Sequence, residues 1–503
     1  MVGAGMGAMA AAARLAVAGH RVTVYERSTT YGGAVDRFER DGFVFDTGPG
    51  LLHLPAVYRD LFVKTGKESL ERSVGLDQVD PASRHLFADG TDVRLPNASR
   101  AGAVAALDAA LGAGAGERWA DFLGRARDAW DRSRRPLLEE PLGSDPRALG
   151  RDPYPAVRQR RLLRGARQAA TVAEIGAWEL RDPRLAALLD GCALSYGLDP
   201  AHAPASAAVL PYLEQTFGSW YVRGGMRELA RAVYERCLAR KVEFVFGAEV
   251  TRIVEKGGAA AGVELADGTL VAADAVVAGV AAGRLVARDL DSVGDGSAKD
   301  SGAVRERRGG TVPGRFTVLL ALRGGRDGDA VHRTVVHAPD GAAEAAAVFG
   351  GRPAERPTVT VLRPDDAATR PDNGHEAVTL TATVAPHGPV DWSDTALRAR
   401  YAEVLMAAAE AALPGLPERL LWHEVRTPAD TAARTGAEGG AVPAPALAGA
   451  AGALLHPANT TLLPGLYRAG GWAHPGGGLA HAGMSGSLVA GLIVEGAEFR
   501  GSR

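Results

Sequence analysis

Met1 to Glu26 reads M-V-G-A-G-M-G-A-M-A-A-A-A-R-L-A-V-A-G-H-R-V-T-V-Y-E, and the order of residue types in it decides the fold class. Gly3 and Gly5 open a long Ala-rich run of high helix propensity, and Gly19-His20 ends it. Arg21 to Tyr25 is then a short β-branched strand closing on Glu26. Turn, helix, strand and acid in that order form a βαβ dinucleotide fingerprint. Gly3 permits the tight turn, and Gly5 lets the backbone approach a pyrophosphate. Ala8 is the small third residue that allows close helix–strand packing. The phosphates sit on the helix N-terminus. Glu26 accepts from a ribose diol and repels a 2′-phosphate, which favours FAD or NAD over NADP. The expected nucleotide-binding set is Gly3, Gly5, Met6, Gly7, Ala8, Glu26 and Arg27. An Ala-rich surface helix behind an ordinary turn is the alternative. Only Met1 and Val2 precede Gly3, whereas such a unit needs a buried first strand of ~5 residues. The reading therefore expects either a start upstream of Met1 or an incomplete sheet.

A chain of 503 residues is too long for one small module, and two or three packed units are expected. The net charge of −2 removes the global electrostatic case for a nucleic-acid partner. Cys192 and Cys237 are too few for a disulfide scaffold and lack metal-binding spacing, so both are expected as reduced core thiols. No long uncharged apolar run supports a membrane-spanning helix, and the N-terminus lacks a cationic leader. A cytoplasmic protein is the expectation. The run Arg151 to Arg167 carries Arg151, Arg158, Arg160, Arg161, Arg164 and Arg167 against one acid. Two readings stand for it: peripheral contact with anionic lipid, and a solvated Arg-rich face.

Tyr31-Gly32-Gly33-Ala34 precedes Asp41-Gly42-Phe43-Val44-Phe45-Asp46-Thr47-Gly48-Pro49. Near the C-terminus stands Gly465-Leu466-Tyr467-Arg468-Ala469-Gly470-Gly471-Trp472-Ala473-His474-Pro475-Gly476-Gly477-Gly478. With Trp220-Tyr221-Val222-Arg223-Gly224-Gly225-Met226 between them, these runs resemble the phytoene desaturase branch of the FAD-dependent, amine oxidase-like oxidoreductases. The resemblance implies FAD. It implies that Gly32 and Gly33 bend around the pyrophosphate, that Gly48 and Pro49 lie beside the isoalloxazine, and that the Val250 backbone meets the adenine. It also places Gly470, Gly471, Gly477 and Gly478 against the cofactor, with the N-terminus of a helix over Ala482 to Ile493 facing the flavin pyrimidine edge. Ala34 departs from the family's Arg, and Trp472 from a small residue. His474 is the one polar candidate for catalysis by motif position, with an equal claim as a turn-stabilising residue.

The expected fold is α/β: a Rossmann-like FAD-binding domain assembled from residues 1–60, 215–300 and 455–503, plus an α+β substrate domain from 61–214 and 301–454. Helical patterns cover Trp119 to Trp130, Ala169 to Leu189 and Ala396 to Leu413. Val242 to Phe246, Val250 to Glu255, Gly262 to Leu265 and Ala273 to Ala278 read as a small antiparallel meander. Arg315 to Leu322, Thr358 to Leu362 and Ala377 to Val384 read as a second sheet, and Thr427 to Pro457 as a loop. His375-Glu376 lacks metal-site spacing and is expected to be structural. The resemblance implies hydride transfer from an apolar, isoprenoid or polyene substrate to flavin N5, forming a C=C bond without a strong base. Alternatives are a same-fold saturase, isomerase or amine oxidase, or a prenyl-chain binding protein without redox chemistry.

Overall fold

The computed structural model describes residues 1–143, 146–157, 166–280 and 311–501. Thr23–Glu26 pairs in parallel with Glu243–Phe246, and Val276–Ala278 pairs in parallel with Leu466–Arg468. Val2 joins the two pairs, bridging Tyr25 on one side and Ala278 on the other. Its amide donates to Val277 O at 2.9 Å, while Met1 O accepts from Tyr25 N at 2.9 Å. One parallel sheet is thus assembled from four strands joined through Val2.

This corrects the reading of Val242 to Phe246 and Ala273 to Ala278 as parts of a meander. Among the described residues the antiparallel meander contains only Val250–Lys256, Ala259–Leu265 and Leu270–Ala272. Hydrophobic pattern identifies a strand but carries no information on its partner's direction. All three residues of Val276–Ala278 are buried, as strands covered on both faces must be.

The opening helix, Met6–Val17, lies buried along most of its length because Ala10 to Ala13 present only methyl groups. Small residues let the closing helix, Leu479–Glu495, approach it at backbone distance. A Cβ on Gly486 would stand 2.8 Å from Ala11 N. The helix Met226–Ala239 packs against the same core, contributing Leu229, Val233 and Cys237. Cys237 is a buried free thiol and Cys192 a partly buried one.

A second sheet has seven strands in the order Leu420–Arg426, Gly314–Arg323, His375–Val384, Val359–Leu362, Arg333–Val336, Ser83–Leu86 and Asp92–Leu95. Its two faces differ chemically, as strand alternation allows. Phe316, Val318, Leu320, Val378 and Leu380 bury one face against Trp392 and the helix Thr395–Ala409. Thr317, Thr360, Thr379, Thr381 and Arg333 share the other. Beyond that polar face lies a helical layer of Ala115–Arg134, Pro183–Ser195 and Val209–Phe217 around Trp119, Phe122 and Leu185.

Three local readings need correction. The pattern Ala169 to Leu189 is not one helix: Val172–Ile175 continues into Gly176–Leu180, Arg181 turns left-handed, and Asp182 caps the separate helix Pro183–Ser195. Thr427 starts a helix, Pro428–Thr435, through a reciprocal capping box with Asp430. The short strands Ser83–Leu86 and Asp92–Leu95 are missing from the sequence reading, because four-residue strands carry too little periodicity to register. Of the Arg-rich run, Arg158, Arg160, Arg161 and Arg164 lie outside the described residues. Arg151 is exposed, and Arg167 stacks over Trp178. Among the described residues no helix is long and apolar enough to cross a membrane.

Candidate functional site

The opening turn is built as its glycines require. Gly3 has φ +87° and donates to Tyr25 O at 2.8 Å, so the chain reverses directly off the sheet. A Cβ on Gly5 would meet nothing within 4 Å. Gly33 lies over this turn, its own Cβ position 3.1 Å from Gly5 Cα, and Gly32 N donates to Ala4 O at 2.8 Å. Ala8 faces the sheet, where a Cβ on Gly279 would come within 2.8 Å of its methyl group.

Glu26 spans the edge of the turn. Its Oε2 accepts from Ala4 N at 2.7 Å and its Oε1 from Ser28 N at 2.9 Å. Ala248 N donates to Glu26 O at 3.0 Å, which brings the chain leading into Val250 beside the acid. Arg27 departs from its expected place: its guanidinium is taken by the carbonyls of Ala433 and Arg434, at the end of Pro428–Thr435.

The closing run meets the opening turn. A Cβ on Gly7 would stand 2.8 Å from Gly470 Cα and 2.9 Å from Ala482 O. Gly470, at φ +95°, has open space where its own Cβ would be. Gly471 and Gly477 are packing positions instead, held against Pro443, and Gly477 N donates to Ala444 O at 2.9 Å. Gly478 begins the closing helix at φ +104°.

Both helix N-termini suit negative charge. Neither has a side-chain cap, and neither has an acid in its first turn. The first intrahelical bonds run from Met9 N to Gly5 O and from Ala482 N to Gly478 O. The preceding amides therefore lack helical acceptors and carry the positive ends of the helix dipoles. Open space beside Gly5 and Gly470, uncapped amides and the carboxylate of Glu26 together fit the pyrophosphate and ribose of a dinucleotide.

The Asp46 to Gly50 segment borders a cavity. Asp46, Gly48, Gly50 and Tyr221 line one side, and Leu362, Thr379 and Thr381 of the seven-stranded sheet line the other, with His332. Asp46 caps the helix Met226–Ala239, both its oxygens accepting from Met226 N at 2.8 and 2.9 Å. Burial outweighs those bonds and pushes its carboxyl up to about 7. Burial also lowers His332 to about 4. Gly48 backs onto Ala34 and Val35. Beside Ala34 stands the guanidinium of Arg434, which reaches Asp36 Oδ2 at 2.7 Å, Thr47 Oγ1 at 3.4 Å and Ala34 O at 3.5 Å. No local pattern marks Arg434; only the docking of its helix brings it there.

His474 is fully buried, away from the residues lining this cavity. Its Nε2 lies 3.0 Å from Glu140 O, and burial lowers it to about 4. That geometry fits the turn-stabilising reading of His474. Glu376 is fully buried and accepts two bonds from Arg363, at 2.6 and 2.9 Å, and one from Arg419 at 2.8 Å. It braces the sheet.

Comparison with known proteins accords with this geometry. Residues 9–295 match the family described as flavin containing amine oxidoreductase. The chain is 31% identical over 499 residues to a hydroxyneurosporene desaturase of Cereibacter sphaeroides, covering 98% of this chain and 97% of that one. It is 28% identical to a zeta-carotene-forming phytoene desaturase of Myxococcus xanthus, over 83% and 78% of the two chains. An oxidoreductase from Methanosarcina mazei shares the fold with a TM-score of 0.63 at 18% identity, over 97% of this chain and 98% of that one. Cyclohexylamine oxidase from Brevibacterium oxydans does so at 0.62 and 15%, over 98% of each. The sheet, the glycine turn and the length of the match lead to one statement: this chain belongs to the flavin containing amine oxidoreductases, as an FAD-dependent enzyme.

Proposed function

We propose that the protein introduces C=C bonds into an apolar polyene. The observation that carries this reading is the 31% identity to a hydroxyneurosporene desaturase over 98% of this chain; the cavity bordered by Asp46, Gly48, Gly50 and Tyr221 and by Leu362, Thr379 and Thr381 of the seven-stranded sheet gives the reaction its place. It is supported by relatives named hydroxyneurosporene desaturase and phytoene desaturase along most of the chain. When bound, FAD supplies the acceptor for a hydride.

In this reading Gly3, Gly5, Met6, Gly7, Ala8, Gly32, Gly33 and Gly470 hold the pyrophosphate end. Glu26 binds the ribose and Val250 the adenine. Gly48 and Pro49 bring the cavity against the redox ring, and the amides opening Leu479–Glu495 stabilise negative charge at its far edge. Residues 1–60, 215–300 and 455–503 serve the cofactor; 61–214 and 301–454 serve the substrate. Conjugation in the polyene stabilises positive character at the oxidised carbon. The chain's task is then to align one C–H bond and exclude water. Peripheral membrane contact belongs to the same proposal, supported by the Arg-rich composition of residues 151–167.

Anaerobic titration of the yellow protein tests the reading. Neurosporene, hydroxyneurosporene or phytoene should bleach the flavin absorbance and return a product with longer-wavelength absorption. Bleaching by an amine, with all three polyenes inert, would replace the desaturase reading with an oxidase.

A further inference from the structure

The helix Pro428–Thr435 belongs to the part of the chain assigned to the substrate, yet its C-terminal end is fastened to the part assigned to the cofactor. The last carbonyls of a helix have no partner within it. Here Gly436 N closes Ala432 O at 2.8 Å, and the Arg27 guanidinium closes the next two, donating to Ala433 O at 3.0 Å and to Arg434 O. Arg27 directly follows Glu26, the acid at the edge of the glycine turn.

The side chain of Arg434 makes a second attachment. Its Nη1 donates to Asp36 Oδ2 at 2.7 Å and to Thr47 Oγ1 at 3.4 Å, and its Nη2 to Ala34 O at 3.5 Å. These acceptors sit on two segments that meet here, since Thr47 N donates to Asp36 O at 2.9 Å. Ala34 follows Gly33, which lies over Gly5 of the turn, and Thr47 precedes Gly48, which lines the cavity. Asp36 is shared. Its other oxygen lies 3.7 Å from Arg227 Nη1, and that guanidinium donates to Val35 O at 3.2 Å and to Tyr31 O. The loop carrying Gly32 and Gly33 is therefore gripped by two arginines, one from each part of the chain. Arg227 keeps 10% of its side chain exposed and Arg434 36%. The first fixes the loop from within; the second can let go without opening the core.

We propose that Arg434 and Arg27 are cofactor-positioning residues, which strap the helix Pro428–Thr435 across the FAD site from its ribose end at Glu26 to its ring end at Thr47 and Gly48, and so slow release of the cofactor. This rests on the placement of FAD given under the proposed function. Both arginines act through other groups. Arg434 works through Ala34, Asp36 and Thr47, holding the Gly32-Gly33 turn against the Asp46–Gly50 segment, while Arg27 keeps the helix end that bears Arg434 in place. Solvent screens contacts between partly exposed charges, so they contribute little to folding. Release of a ligand is more sensitive, because a molecule enclosed by two segments leaves only when they part.

The FAD-loaded full chain tests this through three readings: the rate at which free flavin fluorescence appears on dilution, the visible circular dichroism of bound flavin, and the melting temperature of the flavin-free protein. Arg434→Ala should speed release about three- to tenfold and change the dichroism, with melting near wild type. Arg434→Lys, which keeps a donor for Asp36, should recover part of the retention. Arg27→Ala should speed release to a similar extent, and the double variant by less than the product of the two, since both act on one helix. Unchanged release and dichroism in Arg434→Ala would overturn the proposal. So would a lower melting temperature with unchanged release, which makes the attachment a folding contact alone. Gly5→Val separates the strap from the placement of the cofactor. If it weakens FAD binding while Arg434→Ala leaves release unchanged, the strap fails and the placement stands; if the reverse holds, the strap stands and the pyrophosphate lies elsewhere. Polyenes that fail to bleach the flavin, with release behaving as expected, support the strap and remove the desaturase reading alone.

Discussion

A side chain on Gly7 would strike Gly470: the Cβ position of the first stands 2.8 Å from Cα of the second, although the two occupy opposite ends of the chain. The opening turn and the closing run are therefore one structure. The nearest obstacles at Gly7 are backbone atoms of Gly470 and Ala482, which cannot rotate away.

Gly7→Val should destabilise the protein by about 1–3 kcal/mol through overpacking and lower its flavin content in step. Thermal denaturation and the flavin-to-protein absorbance ratio measure the two effects. A variant as yellow and as stable as wild type contradicts the packing described.

Gly5 separates cofactor binding from folding. Its φ of −72° and ψ of 165° suit any residue, and its Cβ position is open. Gly5→Val should leave stability without flavin within about 0.5 kcal/mol. Flavin affinity should fall at least about tenfold, since the branched side chain fills the space assigned to the pyrophosphate. Unchanged affinity would move the pyrophosphate elsewhere.

Asp46 predicts a pH dependence. Its folded pKa of about 7 lies above the ordinary aspartate value of 3.8, so the folded state binds the extra proton between those values. Stability therefore falls as pH rises through this window, at up to about 1.4 kcal/mol per unit for one proton, and levels off above it. Asp46→Asn keeps a capping oxygen for Met226 N and should flatten the dependence. Chemical denaturation from pH 4 to 8 reads it; identical slopes in both proteins would show that another group is responsible.

Glu376→Ala leaves Arg363 and Arg419 without their buried carboxylate, and removal of one partner from such a pair costs about 3–5 kcal/mol. Melting temperature should drop sharply while the flavin spectrum of the remaining folded protein stays as in wild type. A changed spectrum with normal melting would instead place Glu376 in the redox chemistry.

Glycines that demand unusual backbone are legible without coordinates, because only a few geometries need them. Gly3, Gly32, Gly33 and Gly470 all adopt positive φ. Which glycine faces open space is a different matter. Gly5 and Gly470 do, whereas Gly7, Gly471 and Gly477 lie against neighbouring backbone or Pro443, and nothing in the local sequence distinguishes them. His474 shows the same limit: a conspicuous motif position proved to be a buried partner of the Glu140 carbonyl.

Local order of residue types, from Gly3 to Glu26 and from Gly465 to Gly478, determined by itself that this chain builds a dinucleotide-binding α/β unit, since turn, helix and strand propensities act over a few residues. Tertiary structure alone decided strand direction at Val276–Ala278, the approach of Arg434 to Asp36, and the closure of the Ala433 carbonyl by Arg27. Those relations join residues far apart in the chain, and they arise only when buried faces dock and polar groups find partners inside them.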